Sequence, residues 1–164
     1  MSEMVTLFEF SKKSNPKEWQ IVNDEVMGGH SMGLLQINND GKGIFSGHVS
    51  LENNGGFCLV RHDLERINVE AYSTFVIRLK GDGKKYAFRC KSGVHQRHSY
   101  SYTFSADKEW KTIEIPFAKM EALYRGDDIK LPNYHGDFLA QIAFIIKNNK
   151  EEDFTLAIES IKIK

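Results

Sequence analysis

The residues best suited to chemistry crowd into one stretch, Trp19-Gln-Ile-Val-Asn-Asp-Glu-Val-Met-Gly-Gly-His-Ser31, which follows neither the helical nor the strand period. It reads as a structured loop. Its Gly28-Gly29 pair lets the backbone turn with amide N–H groups exposed, a concavity that can take an anion or a carbonyl oxygen. Asn23, Asp24 and Ser31 add side-chain hydrogen-bonding groups. The same residues also suit a purely structural use, in which Asn23 and Asp24 bond to nearby backbone and hold the turn. Arg61 shares strand parity with Phe57 and Leu59 and is expected to point inward or into a groove, where an unpaired guanidinium would be costly. Asp24 is the candidate partner for it.

A second group comes from parity. If Phe75, Ile77 and Leu79 point into a core, Arg78 and Lys80 point away; Lys85 and Arg89 leave the core by the same rule, as do Ser99, Ser101 and Thr103. These strands are expected to present one basic, hydroxyl-rich outer face. Arginine forks match carboxylates in two-point geometry, so such a face suits an acidic peptide or an anionic sugar; it equally suits plain solvation. Tyr100, Tyr102 and Phe104 alternate as well: they would stack sugar rings on an open sheet, but a row of this kind more commonly fills a core. His95 and His98 lie three apart in a loop-like setting with no third ligand in view, so no metal site is expected. The histidines at 30, 48, 62 and 135 form no nucleophile, base and orienter set, and no catalytic residue is assigned.

The elements that must position these groups are mostly strands. Phe45, Gly47, Val49 and Leu51 share one face, and Tyr86, Phe88 and Cys90 another. Further strands are expected at Leu34 to Ile37, Phe57 to Arg61, Thr112 to Ile115, Leu139 to Lys147 and Phe154 to Ile163. Gly81-Asp82-Gly83 reads as a tight reversal joining Thr74 to Lys80 with Lys84 to Cys90 as a hairpin. In the last run Phe154, Leu156 and Ile158 are out of register with Ile161 and Ile163, which predicts a bulge near Glu159-Ser160. Pro116 to Tyr124 is the one helix candidate, through Phe117, Met120, Leu123 and Tyr124.

The 164 residues make one domain, 1–164, of ordinary globular composition, with 41% hydrophobic and 27% charged residues. Lys plus Arg (22) balances Asp plus Glu (22), so no net field gathers nucleic acid or an anionic membrane. No apolar run is long enough to span a bilayer, and the acidic residues near the start do not suit a targeting peptide, so a cytoplasmic location is expected. Cys58 and Cys90 sit in apolar runs and read as free buried thiols. Neither nucleotide-binding glycine pattern is present, and Arg125-Gly126-Asp127 reads as a loop.

The sequence resembles the complex I intermediate-associated protein family. The likeness rests on Trp19-x-x-Val-Asn-Asp-x-Val-Met-Gly-Gly-x-Ser31, Phe45-Ser-Gly-x-Val-Ser-Leu51, Asn54-Gly-Gly-Phe57 and Arg61. It continues through Gly81-Asp-Gly-Lys-Lys-Tyr86, Trp110, Ile115-Pro-Phe117, Arg125-Gly126 and Phe154-x-Leu-x-Ile158. The resemblance implies an all-β, galactose-binding-like jelly-roll sandwich and a role in assembling respiratory complex I, without catalysis. The chain looks like a compact relative, little more than the bare domain, with its partner left open. The expected function is therefore a non-enzymatic binding domain with a protein partner, respiratory-complex subunits being candidates, and with no cofactor. The alternative is a carbohydrate- or small-ligand-binding module. Asn23, Asp24, Gly28, Gly29, Ser31, Arg61, Arg78 and Arg89 are the candidate binding residues.

Overall fold

Alternation of apolar and polar residues builds thirteen strands among the described residues. The computed structural model describes residues 4–23, 31–51, 56–124 and 127–164. In chain order the strands are β1 (Val5–Glu9), β2 (Gln20–Asn23), β3 (Met32–Ile37), β4 (Gly43–Val49), β5 (Cys58–Asn68), β6 (Thr74–Lys80) and β7 (Lys85–Lys91). They continue as β8 (Ser99–Ser105), β9 (Lys111–Pro116), β10 (Glu121–Tyr124), β11 (Asp127–Asp128), β12 (Phe138–Ile146) and β13 (Glu152–Ile163). Pairing is antiparallel throughout: a six-stranded sheet runs β3-β4-β13-β6-β9 with β1 also on β13, and a seven-stranded sheet runs β11-β10-β8-β7-β12-β5-β2. This is the expected jelly-roll sandwich.

The inner faces of the two sheets meet in one aromatic and aliphatic core. Phe75 of the six-stranded sheet packs edge-on to Phe88 of the seven-stranded sheet with ring centroids 4.8 Å apart, and Phe88 in turn meets Phe144 at 5.3 Å. Such offset ring pairs add to what their buried area alone contributes. Phe75, Ile77, Leu79, Tyr86, Phe88, Cys90, Tyr100 and Phe104 are all buried, so the parity read from the sequence holds along β6, β7 and β8. Tyr102 packs against the same core. Leu51, by contrast, lies beyond the end of β4 and is exposed. Both cysteines are free and buried.

The Gly81-Asp82-Gly83 turn corrects the expected hairpin, because it carries the chain from one sheet to the other. Both edges of β6 are occupied by β13 and β9, and both edges of β7 by β8 and β12, so the two strands cannot pair. The turn is held instead by the segment after β8: the Gly81 amide donates to the Asp107 carbonyl and the Gly83 amide to the Ala106 carbonyl. A Cβ at position 81 would stand 2.1 Å from Ala106 Cβ, and Gly83 has φ of +84°, so both glycines are required where they are. Asp82 ties the sheets together, accepting from the Tyr86 hydroxyl at 3.0 Å and from the Thr155 amide of β13 at 2.9 Å.

Two other expectations meet different fates. The bulge in β13 lies where the register predicted it: pairing with β6 shifts between Ile158 and Ser160, which turns both Phe154, Leu156, Ile158 and Ile161, Ile163 inward. The helix at Pro116 to Tyr124 is absent. Phe117–Lys119 form a single 3-10 turn, and β10 then pairs with β8 through Ala122 and Tyr100. Phe117 and Met120 still reach the core, so the spacing that suggested a helix serves a turn followed by a strand.

Candidate binding face

Trp19 opens the seven-stranded sheet. It is buried, stacked on Phe10 and His62 at 5.6 and 5.2 Å between ring centroids, and the chain leaves it directly into β2. The stretch read as a loop therefore begins as an edge strand, with Asn23 its last residue. Asp24, Gly28 and Gly29 lie outside the described residues. Ser31 is buried on the far side, where its hydroxyl donates to the Ser50 carbonyl and accepts from the Ser50 amide. Those two hydrogen bonds place Ser31 in the packing of the six-stranded side.

Arg61 departs from the inward placement expected for it. On β5 the core face belongs to Cys58 and Val60, and Arg61 shares the outer face with Leu59 and Asp63. Its Nε donates to Gln20 Oε1 of β2 at 3.0 Å. A glutamine on the neighbouring strand thus meets one donor of the guanidinium, and four remain for other use.

Cross-strand register then carries Arg61 into one continuous row. Gln20 of β2 faces Arg61 of β5, which faces Ala143 of β12, then Arg89 of β7, Ser101 of β8 and Glu121 of β10. At the ordinary strand spacing the two arginines stand roughly 10 Å apart at their Cα atoms, with the small Ala143 between them. The row on one side is apolar: Val22, Leu59, Ile145 and Ala87, ending at Thr103. The row on the other side is polar, with Asp63 and Lys91 flanking Gln141, whose side-chain amide donates to Asp63 Oδ1 at 2.7 Å.

These charges are partly withdrawn from water. Burial lowers the Arg89 pKa from its ordinary value, and Arg89 Nε is buried with no hydrogen-bond partner. Lys91 is lowered too, by burial first and then by the positive charge of Arg61, with Arg89 adding a smaller push and Asp63 opposing. A cavity of about 130 Å³ opens beside Arg89, lined by Ala87, Ser101, Thr103, Leu123 and Ile145, with Lys85 and Lys147 also on its wall. The lining carries three cations and no carboxylate. Such a surface attracts negative charge.

Arg78 does not belong to this face. It stands on the outer side of the six-stranded sheet, where its Nε is 3.3 Å from Glu159 Oε2 and its guanidinium lies 5.8 Å from the Trp110 ring centroid. The expected single basic face is therefore divided. Lys85, Arg89, Ser99, Ser101 and Thr103 share the seven-stranded sheet, whereas Arg78 and Lys80 share the other. Of the candidate residues, the structure brings together Arg61 and Arg89 on the outer face. Sequence reading missed Gln20, Asp63, Lys91, Gln141 and Ala143, although each has outward parity in its own strand; what was missing was the order of strands that aligns them. Among the described residues, no three His, Cys, Asp or Glu side chains converge as metal ligands, and no helix is long and apolar enough to cross a membrane.

Comparisons with known proteins bear on this architecture. The chain is similar to a family 11 carbohydrate-binding module of the cellulosomal cellulase Lic26A-Cel5E of Clostridium thermocellum, with a TM-score of 0.72 and 19% identity over 99% of this chain and 95% of that one. A family 11 module from Clostridium thermocellum in complex with a β-1,3-1,4-mixed-linked tetrasaccharide matches with a TM-score of 0.68 and 21% identity over 98% and 93% of the two chains. At these identities the likeness is one of fold. In sequence, the chain is 21% identical to the mouse protein "Complex I intermediate-associated protein 30, mitochondrial", aligning over 99% of its own length and 57% of the relative's. The chain thus spans little more than half of that relative. Residues 8–158 match the family described as complex I intermediate-associated protein 30, and the chain belongs to that family.

Proposed function

We propose that this chain is a non-catalytic binding domain that holds a protein partner on the outer face of its seven-stranded sheet, in a role like that of complex I (NADH:ubiquinone oxidoreductase) assembly factors. Family membership supports the assembly-type role. The observation that supports the face is the row through Arg61 and Arg89, in which a half-buried guanidinium keeps a buried donor unmet. Groups left in that condition in a native structure call for an explanation, and a partner's acceptor supplies one. Affinity purification of the tagged full chain from its native cells, under mild conditions and with lysine cross-linking, is expected to recover a stoichiometric protein joined through Lys85, Lys91 or Lys147. Recovery of no protein, or cross-links confined to Lys80 and Lys162 on the other sheet, would contradict the reading.

The fold likeness to carbohydrate-binding modules favours a second reading, a glycan along the same face. Binding of neutral sugars draws much of its energy from aromatic rings stacked on the sugar's apolar face. Among the described residues, the three central rows of this face carry none, because Tyr86, Phe88, Tyr100 and Phe104 are turned into the core. The protein-binding reading is therefore preferred. A glycan array run with and without calcium, showing tight binding of a neutral oligosaccharide, would reverse the preference.

A further inference from the structure

Resting on the protein-binding reading, we propose that the cavity beside Arg89 is a carboxylate pocket that receives a Glu or Asp side chain from an extended acidic segment of the partner. Three observations converge on it. First, Arg89 lines the cavity, and its Nε is buried and unpartnered. Removing that donor from water without a partner is costly, and a carboxylate met by the guanidinium fork returns the loss through paired, charge-assisted hydrogen bonds. Second, the lining charges are all positive, from Arg89, Lys85 and Lys147, while Arg61 stands in the same row as Arg89 and Lys91 in the adjoining one. Asp63 faces Gln141 and accepts its amide, and Glu121 lies beyond Ser101 on β10, so neither occupies the pocket.

Third, the floor discriminates among acids. Ala87, Ile145 and Leu123 are aliphatic, a surface that suits the methylene stem of an acidic side chain, and Ser101 and Thr103 add hydroxyls that can meet the amides of a peptide. Tyr86 also borders the cavity, but its ring is turned into the core against Phe104 and Phe154, so it offers no open face to stack an acidic sugar.

The experiment uses the full chain, labelled with nitrogen-15, titrated with an end-blocked peptide Ser-Glu-Ser-Glu-Ser, with its Gln counterpart, and with trigalacturonate. The acidic peptide is expected to bind about tenfold or more tightly than the Gln peptide and to shift the Arg89 Nε–H resonance. Arg89→Gln should weaken it by about tenfold and Lys80→Gln, on the opposite sheet, by less than about twofold. Should Arg89→Gln not fold, the comparison of the two peptides on the natural chain decides alone. Equal binding of the two peptides overturns the pocket, as does undiminished binding by a folded Arg89→Gln. Trigalacturonate binding about tenfold tighter than the peptide would overturn the peptide assignment in favour of an acidic sugar. If Arg89→Gln recovers the native partner as well as the natural chain does, the pocket fails while the protein-binding reading stands. If the acidic peptide binds but no protein partner is recovered, the protein-binding reading fails.

Discussion

At the scale of single residues, the fold spends its buried polar groups on holding the sheets together, and one consequence is an alkaline limit to stability. Tyr86 is buried with its hydroxyl on Asp82, and its pKa is raised above the ordinary value, by burial first and then by the Asp82 charge. Tyr134 is raised as well, also chiefly by burial. A tyrosine whose folded pKa is raised keeps its proton in the native state while the unfolded chain begins to lose it near pH 10. Stability is therefore intact below that pH and falls above it, by up to about 1.4 kcal/mol per pH unit for each such residue. Tyr86→Phe is expected to cost about 1 kcal/mol at neutral pH through the lost hydrogen bond, yet to show a shallower decline between about pH 10 and pH 11 in urea melts. An unchanged slope would mean that Tyr86 ionises as freely in the native state as in the unfolded one. By contrast, Arg61 was legible as an arginine needing a partner but not as an outward one, since Phe57, Leu59 and Arg61 alternate just as well with Cys58 and Val60 on the core side.

At the scale of elements, period-two alternation was enough to find most strands, because the chemistry of the two faces differs within each strand. It was not enough to say which strands pair. Gly81-Asp82-Gly83 has the composition of a hairpin turn, and what defeats the hairpin is non-local: β13, β9, β8 and β12 already fill the edges of β6 and β7. The bulge at Ile158 to Ser160 was legible for the opposite reason, since a slip of inward residues shows within one strand. Likewise the strand β10 replaces the expected helix because β8 offers an open edge to Glu121, Ala122 and Leu123, a tertiary term that helical spacing cannot anticipate. The crossing turn gives a test at this scale. Asp82→Ala removes the acceptor of the Tyr86 hydroxyl, the Thr155 amide and the Lys84 amide, and should destabilise the chain by about 2 to 4 kcal/mol in urea unfolding, with Asp82→Asn recovering part of that. A loss below about 0.5 kcal/mol would show that the turn's backbone bonds to Ala106 and Asp107 suffice.

At the scale of the whole molecule, the two outer faces of the sandwich have different characters. On the six-stranded sheet Arg78 and Lys42 are both held by Glu159 beside Trp110, so those two cations are already satisfied. On the seven-stranded sheet Arg61 is met by Gln20 and Lys91 has Asp63 nearby, whereas the cavity opens beside Arg89, whose buried Nε has no partner. That contrast was beyond reach of the sequence, where Arg78 and Arg89 look alike and only eleven positions separate them. The central claim is that a protein partner docks on the seven-stranded face. It is tested most directly by co-purifying the partner with the charge-reversed pair Arg61→Glu/Arg89→Glu and, in parallel, with Lys80→Glu/Lys162→Glu, each checked for an unchanged fold. Loss of the partner from the first pair and its retention by the second is the predicted result; retention by the first pair, or loss only from the second, would contradict it.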